Sequence, residues 1–141
     1  MQDTLPIHFA PLQGYTEAIY RNAHDAFFGG VDTYYTPFVR LEKGNFRRRD
    51  VRGIEPENNG VPHLIPQLIA SSAEKAEVIL SLFIEKGYQE VDINLGCPFP
   101  LLAKRHNGSG ILPYPEEVKA LLSIVTRYPQ ISFSVKMRLG W

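Results

Sequence analysis

The sequence is short of three things, and each shortage excludes a class of protein. It has one cysteine among 141 residues, so an internal disulfide is impossible and no cysteine cluster is spaced for zinc. No apolar run approaches the roughly 18 residues that a membrane-spanning helix needs. The N-terminal stretch MQDTLPIHFAPLQG lacks the charged and then apolar order of a secretory signal. We therefore expect a cytoplasmic protein with no membrane segment and no metal centre.

Charge is balanced overall but uneven locally. Fifteen basic and fifteen acidic residues cancel, and 44% of the residues are hydrophobic, which is typical of a globular protein. Residues 40–52, however, hold six basic and two acidic side chains, and Lys104, Arg105 and His106 form a second basic group. Each group is either a solvated surface or a contact for nucleic acid.

Short β-branched or aromatic runs alternate with segments of helical period, which indicates βα units around a parallel sheet. Strands are predicted at 7–10, 33–37, 64–69, 90–94 and 132–138, with an irregularity at Pro66 because proline lacks a ladder donor. Thr16 is predicted to cap a helix that ends before Gly29, and residues 71–74 fit a capping box. Pro115 is predicted to open a helix, whose buried stripe would be Val118, Leu121, Leu122 and Val125. Residues 41–59 show no steady helical or strand period. They are interpreted as an excursion, an irregular segment inserted after the second predicted strand.

Polar side chains fall at the carboxyl ends of three neighbouring predicted strands. Gln67, Asn94 and Lys136 occupy these ends, and Ser132, Ser134 and Lys136 share one face of the last strand. Ligands bind at this edge both in open α/β sheets and in β/α barrels. A complete (β/α)8 barrel takes about 250 residues. The chain is therefore either a small open α/β domain or the front portion of a barrel.

The single cysteine, Cys97, follows the fourth predicted strand in the stretch VDINLGCP (91–98). Free cysteine is among the most buried residue types, so a small core residue is one interpretation. An ordinary thiol has a pKa of about 8.5 and is mostly protonated at neutral pH, so a proton donor is another. A nucleophile is a third, although no histidine adjoins Cys97 in sequence. The long loop that follows favours function at this edge.

Five stretches carry a family resemblance: APLQGYTEAIYR (10–21), PQLIA (66–70), VDINLGCP, NGSGILPYPEEV (107–118) and SVKMRLGW (134–141). In order and spacing they resemble the tRNA-dihydrouridine synthases, over the first part of that family's FMN-binding (β/α)8 barrel. The resemblance implies a partial TIM barrel of about five βα units with parallel strands, spanning residues 1–141. It also implies flavin-dependent reduction of uridine in tRNA, with NADPH as reductant.

The resemblance implies a role for individual residues as well. Cys97 is expected to protonate C5 of uracil, and Gln67 and Lys136 to contact FMN. The segment Pro11, Leu12 and Gln13 is expected to lie under the isoalloxazine ring, with Leu12 in place of the family's usual methionine. For the substrate, Asn94 is expected to contact uracil, and Lys104 and Arg105 to bind the RNA.

The family's later barrel strands and helical tRNA-binding domain have no counterpart in these residues. We therefore expect a shortened form of a longer protein, inactive by itself, weak in FMN binding and prone to self-association through its open barrel edge. Two alternatives stay open: another FMN barrel oxidoreductase acting on a free pyrimidine, and a non-catalytic RNA-binding fragment.

Overall fold

Strands and helices alternate along residues 5–140, the part of the chain that the computed structural model describes. The strands are β1 (His8–Phe9), β2 (Thr33–Tyr35), β3 (Leu41–Glu42), β4 (Asn45–Phe46), β5 (Leu64–Ile65), β6 (Gln67–Leu68), β7 (Glu90–Leu95) and β8 (Ser132–Met137). The α-helices are α1 (Ala18–Phe27), α2 (Arg48–Ile54), α3 (Ala73–Glu85), α4 (Pro100–Ala103) and α5 (Pro115–Arg127), and 3-10 turns cover Pro56–Asn58 and Gly108–Ile111. Trp141, which ends the SVKMRLGW motif, lies outside the described residues.

Within each of the two parallel sheets, neighbouring strands lie in the order in which they occur along the chain. One sheet runs β1–β2–β5 and another runs β6–β7–β8, with every pair in both sheets parallel. A bridge between Val39 and Leu68 joins the two sheets. All five predicted strand positions carry parallel strands, so the α/β class is confirmed. The order is compatible with the beginning of a barrel, and the assignment to five of eight barrel units stays a prediction.

Pro66 separates β5 from β6, as the sequence predicts. Its missing N–H interrupts the ladder, and the hydroxyl of Thr36 accepts the next amide, that of Gln67, at 3.0 Å. Residues before the proline pair with β2, while those after it pair with β7. The Thr36 side chain thus replaces a backbone acceptor at the point where pairing changes from β2 to β7.

Helices α3 and α5 supply much of the core. One face of α3, formed by Ala76, Ile79, Leu80 and Phe83, is fully buried. Helix α5 buries Leu121 and Ile124 instead of the full predicted stripe, and Val125 is exposed. The prediction for α5 was wrong by one residue at its C-terminal end, where the buried position is 124 and not 125.

Two predicted helix starts shift. Ser72, one residue after the predicted Ser71, caps α3 by accepting the amide of Lys75 at 3.4 Å. Helix α1 begins after Glu17 without a side-chain cap, because the Thr16 hydroxyl accepts the amide of Leu12 at 2.8 Å instead. None of the helices within residues 5–140 has the length and apolar character needed to cross a bilayer.

The excursion at 41–59 has more structure than its sequence suggests. It contains the antiparallel β3–β4 hairpin, helix α2 and a 3-10 turn. A buried guanidinium, that of Arg21, attaches it to the start of α1 by donating to the carbonyls of Thr16 at 2.6 Å and Gly53 at 2.9 Å and to Asn59 Oδ1 at 2.5 Å. Burial lowers the pKa of Arg21 to about 10.

Candidate active site

A buried polar network crosses β6, β7 and β8. Gln67 Nε2 donates to Asp92 Oδ2 at 2.6 Å, and Asn94 Nδ2 donates to Gln67 Oε1 at 2.8 Å. The hydroxyl of Ser134 donates to Asp92 Oδ1 at 2.7 Å. The register pairs Gln67 with Asp92, Asp92 with Ser134 and Asn94 with Lys136, which places these side chains on one face of the sheet. The structure therefore brings together Gln67, Asn94 and Lys136, as the sequence predicts.

Asp92 is the buried member of this network to which the sequence prediction gave no site role, although its parity places it on the same face as Asn94. It is only 3% exposed, and both carboxylate oxygens accept a hydrogen bond. Burial raises the pKa of Asp92, while the hydrogen bonds from Ser134 and Gln67 and the charge of Lys136 pull that pKa down. The available signal was an acidic residue inside an otherwise apolar strand, on the same side-chain parity as Asn94.

Asn94 fixes the start of the cysteine loop. Its Oδ1 accepts the backbone amides of Gly96 at 3.0 Å and of Cys97 at 2.9 Å, which is an Asx-type turn. The same carboxamide donates to Gln67 through one of its two Nδ2 hydrogens. Asn94 thus ties the loop that carries the thiol to the network on the sheet.

Cys97 is half-buried, and its loop is folded tightly around it. Its carbonyl accepts both the amide and the hydroxyl of Ser109 at 3.0 Å, and its side chain packs against Phe38, Ile69 and Leu102. Gly108 has a positive φ of 59°, and a Cβ at that position would lie 2.6 Å from the Cys97 carbonyl oxygen. Only glycine fits there, which gives the NGSG motif a structural reason.

The rest of this loop is also held in place. A Cβ on Gly110 would overlap the backbone of Ala103, so the second glycine of the motif is a packing requirement as well. His106 stacks on Tyr114 with ring centroids 4.0 Å apart, and its Nδ1 lies 2.7 Å from Glu117 Oε2. Lys104 and Arg105, the predicted substrate contacts, lie on this loop with their side chains exposed.

A cleft of about 380 Å³ opens beside the network. Its polar lining comes from His8, Tyr35, Asp92, Ser134 and Lys136, and its apolar lining from Ala10, Pro11, Val135 and Met137. The Tyr35 hydroxyl lies 2.9 Å from His8 Nδ1, and burial raises the pKa of Tyr35. Among residues 5–140 no carboxylate lies within ion-pair distance of Lys136, and Asp92, in the same cleft, interacts with its charge only at longer range.

The segment predicted to lie under a flavin ring borders this cleft only at Pro11. The N–H and C=O groups of Leu12 are both engaged with Thr16, at 2.8 and 3.0 Å. Gln13 turns away towards the excursion. With its carboxamide in the flipped orientation, the oxygen accepts from Arg49 Nη2 at 2.9 Å and from Arg47 Nη2 at 3.0 Å.

Some of the basic side chains in residues 40–52 form ion pairs with acidic residues of the protein itself. Arg47 makes a bidentate pair with buried Asp50, at 2.8 Å from Nε and 2.7 Å from Nη2, and Arg49 lies 3.8 Å from Glu17. The segment is therefore partly a structural tether as well as a charged surface.

The chain is similar in sequence to known proteins. The family model described as "Dihydrouridine synthase (Dus)" matches residues 8–141. The chain is similar to "Probable tRNA-dihydrouridine synthase 1" of Synechocystis sp., with 29% identity over 138 residues covering 94% of this chain and 37% of that protein. It is also similar to "tRNA-dihydrouridine synthase B" of Klebsiella pneumoniae, with 32% identity over 75 residues, 53% of this chain and 23% of that protein. For the Vibrio cholerae protein of the same name the identity is 34% over 76 residues, 54% of this chain and 21% of that protein. The chain thus spans well under half the length of these relatives, and the match over residues 8–141 shows that it belongs to the dihydrouridine synthase family.

Proposed function

We propose that this chain contributes the Cys97 side of the active site of a cytoplasmic, FMN-dependent tRNA-dihydrouridine synthase that uses NADPH as reductant. The observation that carries the proposal is the placement of Cys97. Asn94 holds it at the carboxyl edge of a parallel sheet, where Lys136 pairs with Asn94 in the register of the next strand and lines the adjoining cleft. The names of the relatives supply tRNA as the substrate class.

The reaction needs a proton donor at a defined place. The C5=C6 bond of uracil is conjugated with the C4 carbonyl, so hydride addition at C6 builds enolate charge that a proton at C5 must quench. The flavin, when bound, would supply the hydride. The Cys97 thiol would give its proton to C5, become a thiolate, and regain a proton from water. The packing of Phe38, Ile69 and Leu102 fixes the direction of the side chain during this transfer.

The cleft has the groups that a flavin ring requires. Lys136 would place a cation near the N1/O2 edge, where the reduced flavin carries negative charge. Ala10, Pro11, Val135 and Met137 offer apolar surface to a planar ring. Because both polar backbone groups of Leu12 are already bonded, the segment 11–13 would contact a ring mainly through carbon atoms.

We expect FMN to bind the 141-residue polypeptide weakly. Among the described residues no strand pairs with the outer edge of β1 or of β8, so the cleft between these edges is open. Flavin absorbance after gel filtration would measure this, compared with the chain joined to the remaining part of the Synechocystis relative. Stoichiometric, tightly held FMN in the 141-residue form would contradict the expectation.

The catalytic proposal is tested with the same joined protein. Unmodified tRNA would be incubated with FMN and NADPH, and dihydrouridine measured by nucleoside mass spectrometry. We expect Cys97→Ala to slow product formation by about 10² to 10⁴, the usual contribution of a positioned acid. Equal activity in the variant would remove Cys97 from the mechanism. Reduction of free uracil in place of tRNA would favour the free-pyrimidine alternative, and RNA binding without product would favour the non-catalytic one.

A further inference from the structure

A second cleft, of about 310 Å³, lies between the β3–β4 hairpin, the start of α3 and the loop after β7. Four cationic side chains line it: Arg40, Lys43, Lys75 and Arg105. No acidic side chain is part of its lining. These residues come from three separate parts of the sequence, and only the fold brings them together.

The charges in this cleft have little internal compensation. Arg40 Nε is buried and has no hydrogen-bond partner among residues 5–140, and Arg40 Nη2 lies 3.5 Å from Glu42, whose side chain is largely exposed. Lys75 donates to a neutral group, the hydroxyl of Ser71, at 2.9 Å. Within residues 5–140 the side chains of Lys43 and Arg105 have neither an ion pair nor a hydrogen bond. Gathering like charges in a concave site is unfavourable unless an anion binds there.

The cleft shares a wall with the candidate proton donor. Ile69 and Leu102 line the cleft, and the same two side chains pack against Cys97. A ligand in the cleft would therefore pass alongside the loop that carries the thiol.

We propose that this cleft, here termed the Arg40 cleft, binds the phosphodiester backbone of the RNA strand next to the reacting uridine. The inference rests on the proposed function. A uracil must leave its base stack before an enzyme can reach C5 and C6, and the flanking phosphates then need fixed partners. Arg40 and Arg105 provide forked donors for phosphate oxygens, while Lys43 and Lys75 provide mobile point charges. The volume of the cleft, about 310 Å³, and its four cations fit several successive phosphates better than a single small anion.

The test measures binding of a fluorescein-labelled 12-nucleotide oligouridine to the 141-residue chain by fluorescence anisotropy, at several NaCl concentrations. One variant removes three charges from the cleft: Lys43→Gln, Lys75→Gln and Arg105→Gln. The matched control removes three exposed charges elsewhere: Arg48→Gln, Arg52→Gln and Lys119→Gln. Circular dichroism would confirm that both variants are folded.

We expect the cleft variant to bind at least tenfold more weakly at 50 mM NaCl. Its slope of log K against log salt should fall by about two, since each phosphate contact on a single strand contributes roughly 0.7. The control should stay within about twofold of the wild type. Equal weakening in both variants, no weakening in the cleft variant, or no oligouridine binding by the wild type would overturn the inference.

A parallel titration with FMN and with inorganic phosphate identifies the ligand class. If the cleft variant lost affinity for either small anion and kept its affinity for RNA, the cleft would be a small-anion site and the proposal would fail. Cys97→Ala should bind oligouridine normally. A failure of the catalytic proposal is thereby distinguishable from a failure of the Arg40 cleft.

Discussion

The side-chain oxygen of Asn94 accepts the backbone amide of Cys97 at 2.9 Å, while the nitrogen of the same carboxamide donates to Gln67 at 2.8 Å. One buried side chain therefore connects the only thiol of the chain to the neighbouring strand. The position of the candidate proton donor depends on this carboxamide even before any contact with substrate is considered.

Asn94→Ala should lower the free energy of unfolding by about 2 kcal/mol or more, because it leaves two loop amides and the Gln67 oxygen without their partner. Urea denaturation would measure this loss. Asn45→Ala is the matched control, since Asn45 makes one exposed hydrogen bond and its loss should cost under about 0.5 kcal/mol. Similar losses in the two variants would contradict the role given to Asn94.

Gly108→Ala should lower the free energy of unfolding by about 3 kcal/mol or more, because the new Cβ meets the backbone of Cys97. Gly44→Ala is the control, because it introduces backbone strain without a steric contact. Gly44 also has a positive φ, 79°, and a Cβ at that position would have nothing within 4 Å. The control should lose about 1 kcal/mol. Reaction of Cys97 with a disulfide reagent such as DTNB should be faster in Gly108→Ala only, and equal effects in both variants would count against the packing argument.

The raised pKa of Asp92 predicts a pH dependence of stability. Because burial raises the pKa in the folded state above its ordinary value of 3.8, the folded protein binds this proton more readily than the unfolded chain. The contribution of Asp92 to stability therefore improves as pH falls through its folded pKa towards 3.8, and its ionised form costs stability at neutral pH. Compared with Asp92→Asn, the wild type should gain free energy of unfolding between pH 7 and pH 4. A constant difference across this range, in urea denaturation, would refute the assignment.

We expect the polypeptide to self-associate through the outer face of α1. Ile19 and Phe27 are 83% and 84% exposed there, and the outer edge of neighbouring β1 is unpaired within residues 5–140. Ile19→Lys with Phe27→Lys should shift sedimentation equilibrium towards monomer. Val125→Lys, on α5, is the control for adding charge at an exposed apolar position. A wild type that is monomeric at high micromolar concentration would contradict the proposal.

The parallel strands and the polar strand ends could be predicted from the sequence because both depend on local signals. β-branched and apolar runs placed Gln67, Asn94 and Lys136 at the carboxyl ends of three neighbouring strands, and the pairing of Asn94 with Lys136 agrees with this. The interruption of the strand at Pro66 was equally predictable, because a missing N–H interrupts the hydrogen-bond ladder in any sheet. Cys97 was located correctly at the sheet edge, and its chemical role stays a prediction.

Features set by contacts between distant segments could not be predicted in the same way. Thr16 has the residue type of a helix cap but bonds to Leu12 instead. The excursion at 41–59 showed no period because its elements are short and are held by Arg21, a charged residue that a sequence pattern would place at the surface. The Arg40 cleft likewise exists only after cations from three remote segments are brought together.

The buried guanidinium of Arg21 makes the excursion an integral part of the fold. Its three acceptors belong to the segment before α1, the end of α2 and the turn after it. Cutting out residues 41–59 as if they were a surface insertion would strip a fully buried cation of two of these partners, so such a deletion cannot be neutral. The most irregular stretch of the sequence and the first helix therefore share one buried anchor, and neither segment is a module that can be removed without exposing the other.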